Sequence, residues 1–440
     1  MLYFSILLCL ACLAGGTIIG IMKYKKWYNP MSLLNALFFV IVFFASFRFF
    51  SYKEVHDTTY LLLAFAALGY NVGCILTLAV KHAKKCIPII DHSPKLSKYV
   101  WLMDAVLFVL YVCELINVSP LYVAGADSAT IRGVYFEGNM ETIVGSMDLW
   151  SLIRPYIEVP LTIVCVAISC VWLINYKNYI QFIFAILFVA ANIAVSYGRF
   201  VLFYIVICLL LTHALSKRFL LTKKNYVKLR LTHSMAKGVS LKNKKVGNVK
   251  WFVAIFAGTI LYLSVYRGVD KFTAFFYEYF CGCVFLLDQL IQELPENSTW
   301  GVCSFQSIIA PIYTVLHQFG IPYSAEYMDA LNILALKDGA HVISEKGQVT
   351  NAFSTPIFAL YADFGLVGVF WGMCLLGFIF CEIYQLARNK PTERNICLYA
   401  VVGINLFKCI QEYPFSTTLF TFTMAFIWLL YRNEKVYTFK

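Results

Sequence analysis

The run LYFSILLCLACLAGGTIIGIM, residues 2–22, indicates the fold class, because it is long, apolar and free of charged side chains. An α-helix of roughly 20 apolar residues crosses the hydrocarbon core of a bilayer. A signal peptide would carry a basic segment ahead of such a run and a small-residue cleavage site behind it, and neither is present. The sequence therefore predicts a membrane-spanning helix here.

Similar apolar runs recur along the 440 residues, of which 60% are hydrophobic and 14% charged. Soluble domains have about 25% charged residues, so a soluble fold is excluded. Hydropathy predicts an all-α polytopic membrane protein with about eleven transmembrane helices. The predicted spans are residues 2–22, 31–50, 58–80, 99–117, 151–173, 179–195, 199–215, 251–266, 356–387, 395–411 and 415–431.

The distribution of positive charge orients these spans, because cytoplasmic segments carry the excess of Lys and Arg. An external N-terminus and a cytoplasmic C-terminus place 26 of the 36 Lys and Arg inside, eleven of them in residues 216–250. That loop has no acidic residue, which suits a position beside anionic inner-leaflet lipid. We expect no nucleic-acid partner, since the loop shows no recognition fold.

The predicted spans divide the chain into three parts. Residues 1–266 hold transmembrane helices one to eight and the cytoplasmic basic loop, residues 267–355 form a large external loop, and residues 356–440 hold helices nine to eleven and a cytoplasmic tail. Within the external loop, the apolar stretch 272–291 carries Glu278 and Asp288. We therefore predict an amphipathic helix at the interface there, not a twelfth span.

Three stretches on the predicted outer side carry short motifs. They are SYGR at residues 196–199, GVCSFQSIIAPIYTVLHQFG at 301–320, and NAFST at 351–355 with LYADFGLVGV at 360–369. Together they resemble the oligosaccharide repeat-unit polymerases, the Wzy or O-antigen polymerase family. The resemblance implies a metal-independent glycosyltransferase of GT-C-like architecture in a bacterial inner membrane, with a large periplasmic helical loop.

Members of that family polymerise repeat units carried on undecaprenyl pyrophosphate into O-antigen, capsular or exopolysaccharide chains. The resemblance thus implies a lipid-linked glycan donor and acceptor, together with membrane lipid. A chain-length regulator and a flippase of the same pathway are the expected protein partners. No cofactor or metal is expected, because the sequence has no nucleotide-phosphate loop, no D-x-D motif and no zinc-ligand spacing.

A departing pyrophosphate needs cationic partners, and arginines outnumber lysines in the predicted outer segments. The planar guanidinium can hold a phosphate through two hydrogen bonds at once. Arg199 and Arg267 lie beside glycine at the ends of predicted spans, so we expect both to bind pyrophosphate. Arg132 and Arg154 are further candidates for the diphosphate or an acidic sugar, although Arg154 could instead pair with Glu158 one turn later.

Two residues are candidates for the general base that activates the acceptor hydroxyl, His317 and Asp363. Each has a structural alternative, since His317 follows an apolar run and Asp363 lies where a carboxylate would stabilise a helix start. Among ionisable groups in the predicted spans, Lys408 is spaced to pair with Glu412. Asp104 and Glu114 have no partner that the sequence identifies.

Two other functions remain open at the level of sequence. An O-antigen ligase shares the implied fold and lipid carrier but moves finished chains to another acceptor. A flippase or transporter of lipid-linked oligosaccharide would have a charged central cavity and internal repeats. No repeat is visible, and charge gathers at the predicted outer rim.

Overall fold

The computed structural model describes residues 2–80, 88–90, 94–126, 153–196, 201–215, 258, 269–295, 299–350, 353–432 and 436–438. The protein is about 79% helical, and the described ranges contain 13 helices and no sheet-rich fold. The all-α class is therefore confirmed. Six of the described helices are long and apolar enough to cross a membrane, as a multi-pass membrane protein requires.

The helices are numbered in chain order, and ten of the eleven predicted spans coincide with one. They are α1 (Leu2–Tyr24), α2 (Pro30–Ala45), α3 (Asp57–Leu76), α4 (Pro94–Val123), α5 (Val159–Tyr176), α6 (Tyr179–Ser196), α7 (Val201–Leu215), α8 (Val269–Glu293), α9 (Gln306–Gln318), α10 (Ala325–Leu336), α11 (Thr355–Asn389), α12 (Glu393–Lys408) and α13 (Thr418–Leu430). The predicted span 251–266 lies outside the described residues, apart from Gly258. The predicted amphipathic helix is α8, which is not among the six long apolar helices.

Two short antiparallel sheets accompany the helices. Strands β1 (Pro88–Ile90) and β4 (Val436–Thr438) pair with Pro88 opposite Thr438. Strands β2 (His341–Val342) and β3 (Val349–Thr350) form a hairpin with His341 opposite Thr350.

The chain divides into two compact units, each made of separate stretches of sequence. The first unit comprises Met1–His82, Leu261–Gln385 and Asn405–Thr421, and the second comprises Ala83–Ile260, Leu386–Ile404 and Phe422–Lys440. The three predicted parts are consecutive segments of the chain, whereas each compact unit combines segments that are far apart in sequence.

In the first unit, close helix packing depends on glycine. A Cβ added to Gly69 would lie 2.4 Å from the carbonyl oxygen of Phe370, and one added to Gly73 would lie 1.9 Å from that of Cys374. From the other side, a Cβ on Gly377 would lie 2.3 Å from the Tyr70 carbonyl oxygen. Small residues four apart let membrane helices approach to backbone contact. The backbones of α3 and α11 therefore touch along this seam.

A buried carboxylate joins α8 to the start of α3. Asp288 accepts hydrogen bonds from the backbone N–H of His56 at 3.0 Å and from the Thr59 hydroxyl at 2.6 Å. The His56 N–H is at the N-cap of α3, where backbone N–H groups have no partner within the helix, and Asp288 supplies that partner. The His56 ring also lies 3.0 Å from Asp288, and this contact raises the pKa of His56.

In the second unit, polar side chains meet between apolar helices. The Asp104 carboxylate of α4 accepts a hydrogen bond from the Gln181 amide of α6 at 2.7 Å. The Glu393 carboxylate, at the first residue of α12, accepts one from the indole N–H of Trp172 at 3.0 Å. Both carboxylates are buried, so these bonds replace the water each would otherwise bind.

The glycine seam predicts a sharp difference between two identical substitutions. Gly73→Ala must push α3 away from α11, and overpacking of this kind costs about 1–3 kcal/mol. Gly15→Ala is the matched control, because no atom of the described residues lies within 4 Å of its added Cβ. Thermal unfolding of the purified variants should show a lower Tm for Gly73→Ala alone. Equal Tm values for the two would contradict the close approach.

Candidate functional site

The candidate site lies in the first unit, where the predicted outer loop meets the segment between α12 and α13. Three backbone hydrogen bonds hold it together. Thr299 donates to Ala362 at 3.4 Å, Ser307 to Phe415 at 3.0 Å, and Ser354 to Gln411 at 3.0 Å. Because the bonds join residues far apart in sequence, they fix the position of α9 and of the neighbouring side chains.

Asp363 is the centre of this framework. Its carboxylate accepts hydrogen bonds from the Thr299 hydroxyl at 2.5 Å and from the backbone N–H groups of Cys303 at 3.1 Å and Ser304 at 2.6 Å. The side chain is completely buried. Asp363 therefore has a structural function here, and its predicted part as a general base gains no support from this geometry.

The helix that carries Asp363 breaks immediately after it. Phe364 has φ −141° and Gly365 has φ 59° and ψ −143°, values outside the helical region. The combination at Gly365 is essentially restricted to glycine. The DFG motif, which we expected to introduce a helix, is instead a break inside α11, and the Asp363 carboxylate holds the 299–304 turn.

Four rings from α9, the α9–α10 connection and the start of α10 form an aromatic cluster: Tyr313, His317, Tyr323 and Tyr327. The ring of His317 stacks on Tyr323 with centroids 4.6 Å apart, and Tyr313 stacks on Tyr327 at 4.1 Å. His317 is exposed, so it is not part of the core, whereas Tyr327 is buried. The cluster presents an accessible imidazole beside phenol rings.

Two lysines share one carboxylate at the other end of α10. Lys408 Nζ lies 2.5 Å from Glu412 Oε1, which confirms the predicted pair. Lys337, which ends α10, lies 3.5 Å from the other oxygen of Glu412. We call these three residues the lysine cluster. Their side chains are only 11–15% exposed, so their charges have little solvent screening, and the neighbouring Asp338 carboxyl also interacts electrostatically with Lys337 and Glu412.

The ammonium groups of the lysine cluster lower the pKa of Glu412. Burial alone would raise its pKa from 4.5, but the ammonium groups of Lys408 and Lys337 and the Thr417 hydroxyl hold the pKa at about 2. The carboxylate therefore stays ionised at neutral pH. The ammonium groups of Lys337 and Lys408 are the cationic groups of this cluster that an added anion could contact.

The surface of α9 that points away from this framework is apolar. Ile308, Ile312, Val315 and Phe319 are each more than half exposed. Their spacing of three and four residues puts them on one helix face. Trp300, 77% exposed, lies beside the ring of Phe364 on α11. A row of large exposed apolar side chains is typical of contact with lipid or another apolar partner.

The four predicted arginines lie elsewhere in the chain. Arg132, Arg199 and Arg267 are outside the described residues, so their predicted contacts with pyrophosphate stay predictions. Arg154 belongs to the second unit and binds Glu114 of α4 through Nε at 2.9 Å and Nη2 at 2.6 Å. Among the described residues its hydrogen-bond partner is Glu114, and Glu158 accepts no hydrogen bond from it, so Arg154 also accounts for the buried charge of Glu114.

Sequence reasoning missed Lys337, because its partner Glu412 is 75 residues away and no local spacing links them. Among the described residues, no group of three His, Cys, Asp or Glu side chains is placed to hold a metal ion. The arrangement can attract an anion at the lysine cluster and stack flat rings at the aromatic cluster.

No family model, curated protein or solved structure matches the chain.

The lysine cluster predicts a specific dependence of stability on pH. Because the pKa of Glu412 falls from 4.5 to about 2 on folding, its stabilising contribution is complete above about pH 4.5 and disappears towards pH 2. Glu412→Gln should lower the Tm at neutral pH and flatten this part of the profile, since two ammonium groups lose their counter-ion. Thermal unfolding between pH 7 and the acid limit is the measurement.

Glu54→Gln is the control, because the side chain of Glu54 is 61% exposed and its pair with Arg48 is 3.5 Å long. Exposed pairs contribute at most about 1 kcal/mol. A Glu412→Gln profile that matches wild type would contradict the cluster.

A second prediction separates a structural from a catalytic function of Asp363. Asp363→Asn replaces one acceptor oxygen by an amide donor beside the N–H groups of Cys303 and Ser304, a loss of about 1–3 kcal/mol. We expect a lower Tm and less folded protein, but unchanged transfer activity per folded molecule. Activity that falls by several hundredfold at matched folded protein would show instead that Asp363 takes part in the chemistry.

Proposed function

We propose that this protein is an integral-membrane glycosyltransferase that polymerises lipid-linked oligosaccharide repeat units on the outer face of a bacterial membrane. The observation that carries the proposal is the placement of the aromatic cluster and the lysine cluster near opposite ends of α10. Undecaprenyl pyrophosphate and its glycan offer the matching features, a diphosphate next to sugar rings.

The distance between the two clusters sets the size of the ligand. Tyr327 and Lys337 are ten residues apart on α10, which corresponds to about 15 Å along its axis. A monosaccharide phosphate is too short to contact both. An oligosaccharide diphosphate spans that distance, so the spacing favours a repeat unit over a single activated sugar.

The lipid part of such a substrate needs an apolar surface beside the diphosphate. The exposed face of α9, with Ile308, Ile312, Val315 and Phe319, offers one within the same unit. This surface supports a donor that reaches the site from the bilayer.

In the proposed reaction, a hydroxyl oxygen of the acceptor sugar attacks the anomeric carbon of the donor. The bond from that carbon to the pyrophosphate oxygen breaks, and the hydroxyl proton passes to a base. His317 is the proposed base because its ring is exposed beside the phenols that would hold the sugars. Because the lysine cluster lies about 15 Å along α10 from the aromatic cluster, Lys337 and Lys408 would hold the pyrophosphate of the acceptor, whereas the predicted Arg199 and Arg267 would stabilise the departing pyrophosphate of the donor.

The proposal predicts the glycans made by a deletion strain. Loss of a polymerase leaves single repeat units on the carrier or its acceptor, because flipping and ligation survive. Gel profiles of surface glycan should therefore collapse to one repeat. Normal ladders would refute the proposal, whereas loss of all transfer to the acceptor would favour a ligase, and failure to deliver any unit to the outer face would favour a flippase.

Complementation of that strain tests the two clusters. Tyr323→Ala should shorten the chains, while Tyr323→Phe keeps the ring and should restore wild-type length, because ring stacking contributes about 0.5–1.5 kcal/mol. Lys337→Ala should also shorten them. Lys346→Ala is its control, since Lys346 is an exposed lysine of the same loop outside the cluster. Wild-type chain lengths from Tyr323→Ala and Lys337→Ala at matched abundance would exclude this site.

A further inference from the structure

A second group of ionisable residues lies in the second unit, far in sequence from the lysine cluster. It consists of Glu114 on α4 and of Arg154 and Glu158 on the turn that leads into α5. Glu114 and Glu158 are completely buried, and the Arg154 side chain is 16% exposed. The group therefore places two carboxylates and one guanidinium in an apolar setting.

The hydrogen bonds in this group are distributed unequally. Arg154 binds one oxygen of Glu114 through two nitrogens, at 2.6 and 2.9 Å. Neither oxygen of Glu158 accepts a hydrogen bond from the described residues. The second oxygen of Glu114 accepts none from them either. Three carboxylate oxygens are thus buried without the partners that an ionised group needs.

Among the described residues, the surroundings of Glu158 supply no second positive charge. The ionisable groups facing it are Glu114 and Tyr111 from α4 and Arg154 from its own turn. From α6, the Asn192 amide donates to the Tyr111 hydroxyl at 3.3 Å. One guanidinium can neutralise one carboxylate, so a second ionised carboxylate here would be an uncompensated charge in a membrane helix.

The backbone at this point is also unusual. Residues Arg154–Glu158 form a single π-helical turn in front of α5, where the N–H of Val159 bonds to the carbonyl of Arg154. Single π-turns within α-helices occur frequently at functional sites, because they displace side chains from the regular helical positions. Here the turn carries both Arg154 and Glu158 next to Glu114.

We propose that Glu114 and Glu158 form a proton-binding site, in which Arg154 neutralises Glu114 and Glu158 carries an exchangeable proton. The proton lies between the facing carboxyl groups, where a protonated Glu158 donates to the free oxygen of Glu114. Arg154 is the one member of the group with solvent exposure, so the proton exchanges with water beside the Arg154 side chain. This site is independent of the proposed glycosyl transfer.

The proton-binding site predicts opposite behaviour of two chemically equivalent variants in purified, lipid-reconstituted protein. Glu158→Gln imitates the protonated acid and should keep the wild-type Tm. Glu114→Gln removes the carboxylate that Arg154 binds and should lower the Tm by several degrees. In wild type the Tm should fall as the pH is raised and Glu158 loses its proton, and Glu158→Gln should remove that dependence.

Infrared spectroscopy gives a direct readout of the proton. Wild-type protein at neutral pH should show the carbonyl band of a protonated carboxylic acid that shifts in deuterium oxide and is absent from Glu158→Gln. Glu278→Gln, which alters a half-buried carboxyl of α8, should retain that band. The proposal is overturned if the band survives in Glu158→Gln, or if Glu158→Gln destabilises as much as Glu114→Gln. A Tm that depends on sodium concentration in wild type but not in Glu158→Gln would also overturn the proposal, because Glu158 would then bind a metal cation.

Discussion

The need to neutralise charge in an apolar interior determines where the helices of this protein meet. Arg154 binds Glu114, Asp104 accepts from Gln181, and Lys408 binds Glu412. An isolated buried charge costs several kcal/mol, so each charged group needs a partner. Each of these contacts joins two elements or closes the end of one. The polar contacts are few, and they specify which apolar surfaces face each other.

Close backbone contact is the second determinant, and it positions the candidate site. Gly69 and Gly73 bring α3 against α11, and the break at Gly365 redirects α11 where Asp363 holds the 299–304 turn. The same turn leads into α9, so the aromatic cluster has a fixed place. Catalysis by proximity and orientation requires that the groups that bind the substrate are held rigidly.

Much of this fold follows from the sequence, because long uncharged apolar runs favour membrane-spanning helices and the acidic residues within 272–291 favour an amphipathic helix. The Lys408–Glu412 pair was also predictable, since four residues separate them on one face. The sequence did not predict that Lys337 binds Glu412 or that Arg154 binds Glu114. Both contacts arise from tertiary packing, of α10 against Glu412 and of α4 against the π-turn. The break after Asp363 escaped prediction because the surrounding run is apolar throughout and hides a local change of backbone conformation.

The proposal that this chain joins lipid-linked repeat units is tested most directly by reconstitution. Purified protein in liposomes would receive a synthetic undecaprenyl-pyrophosphate-linked repeat unit, with the products separated by length. The account predicts a ladder of increasing chain length and release of undecaprenyl pyrophosphate for each bond formed. Folded protein that leaves the unit unextended, or that transfers it only to a different added acceptor, would contradict the account.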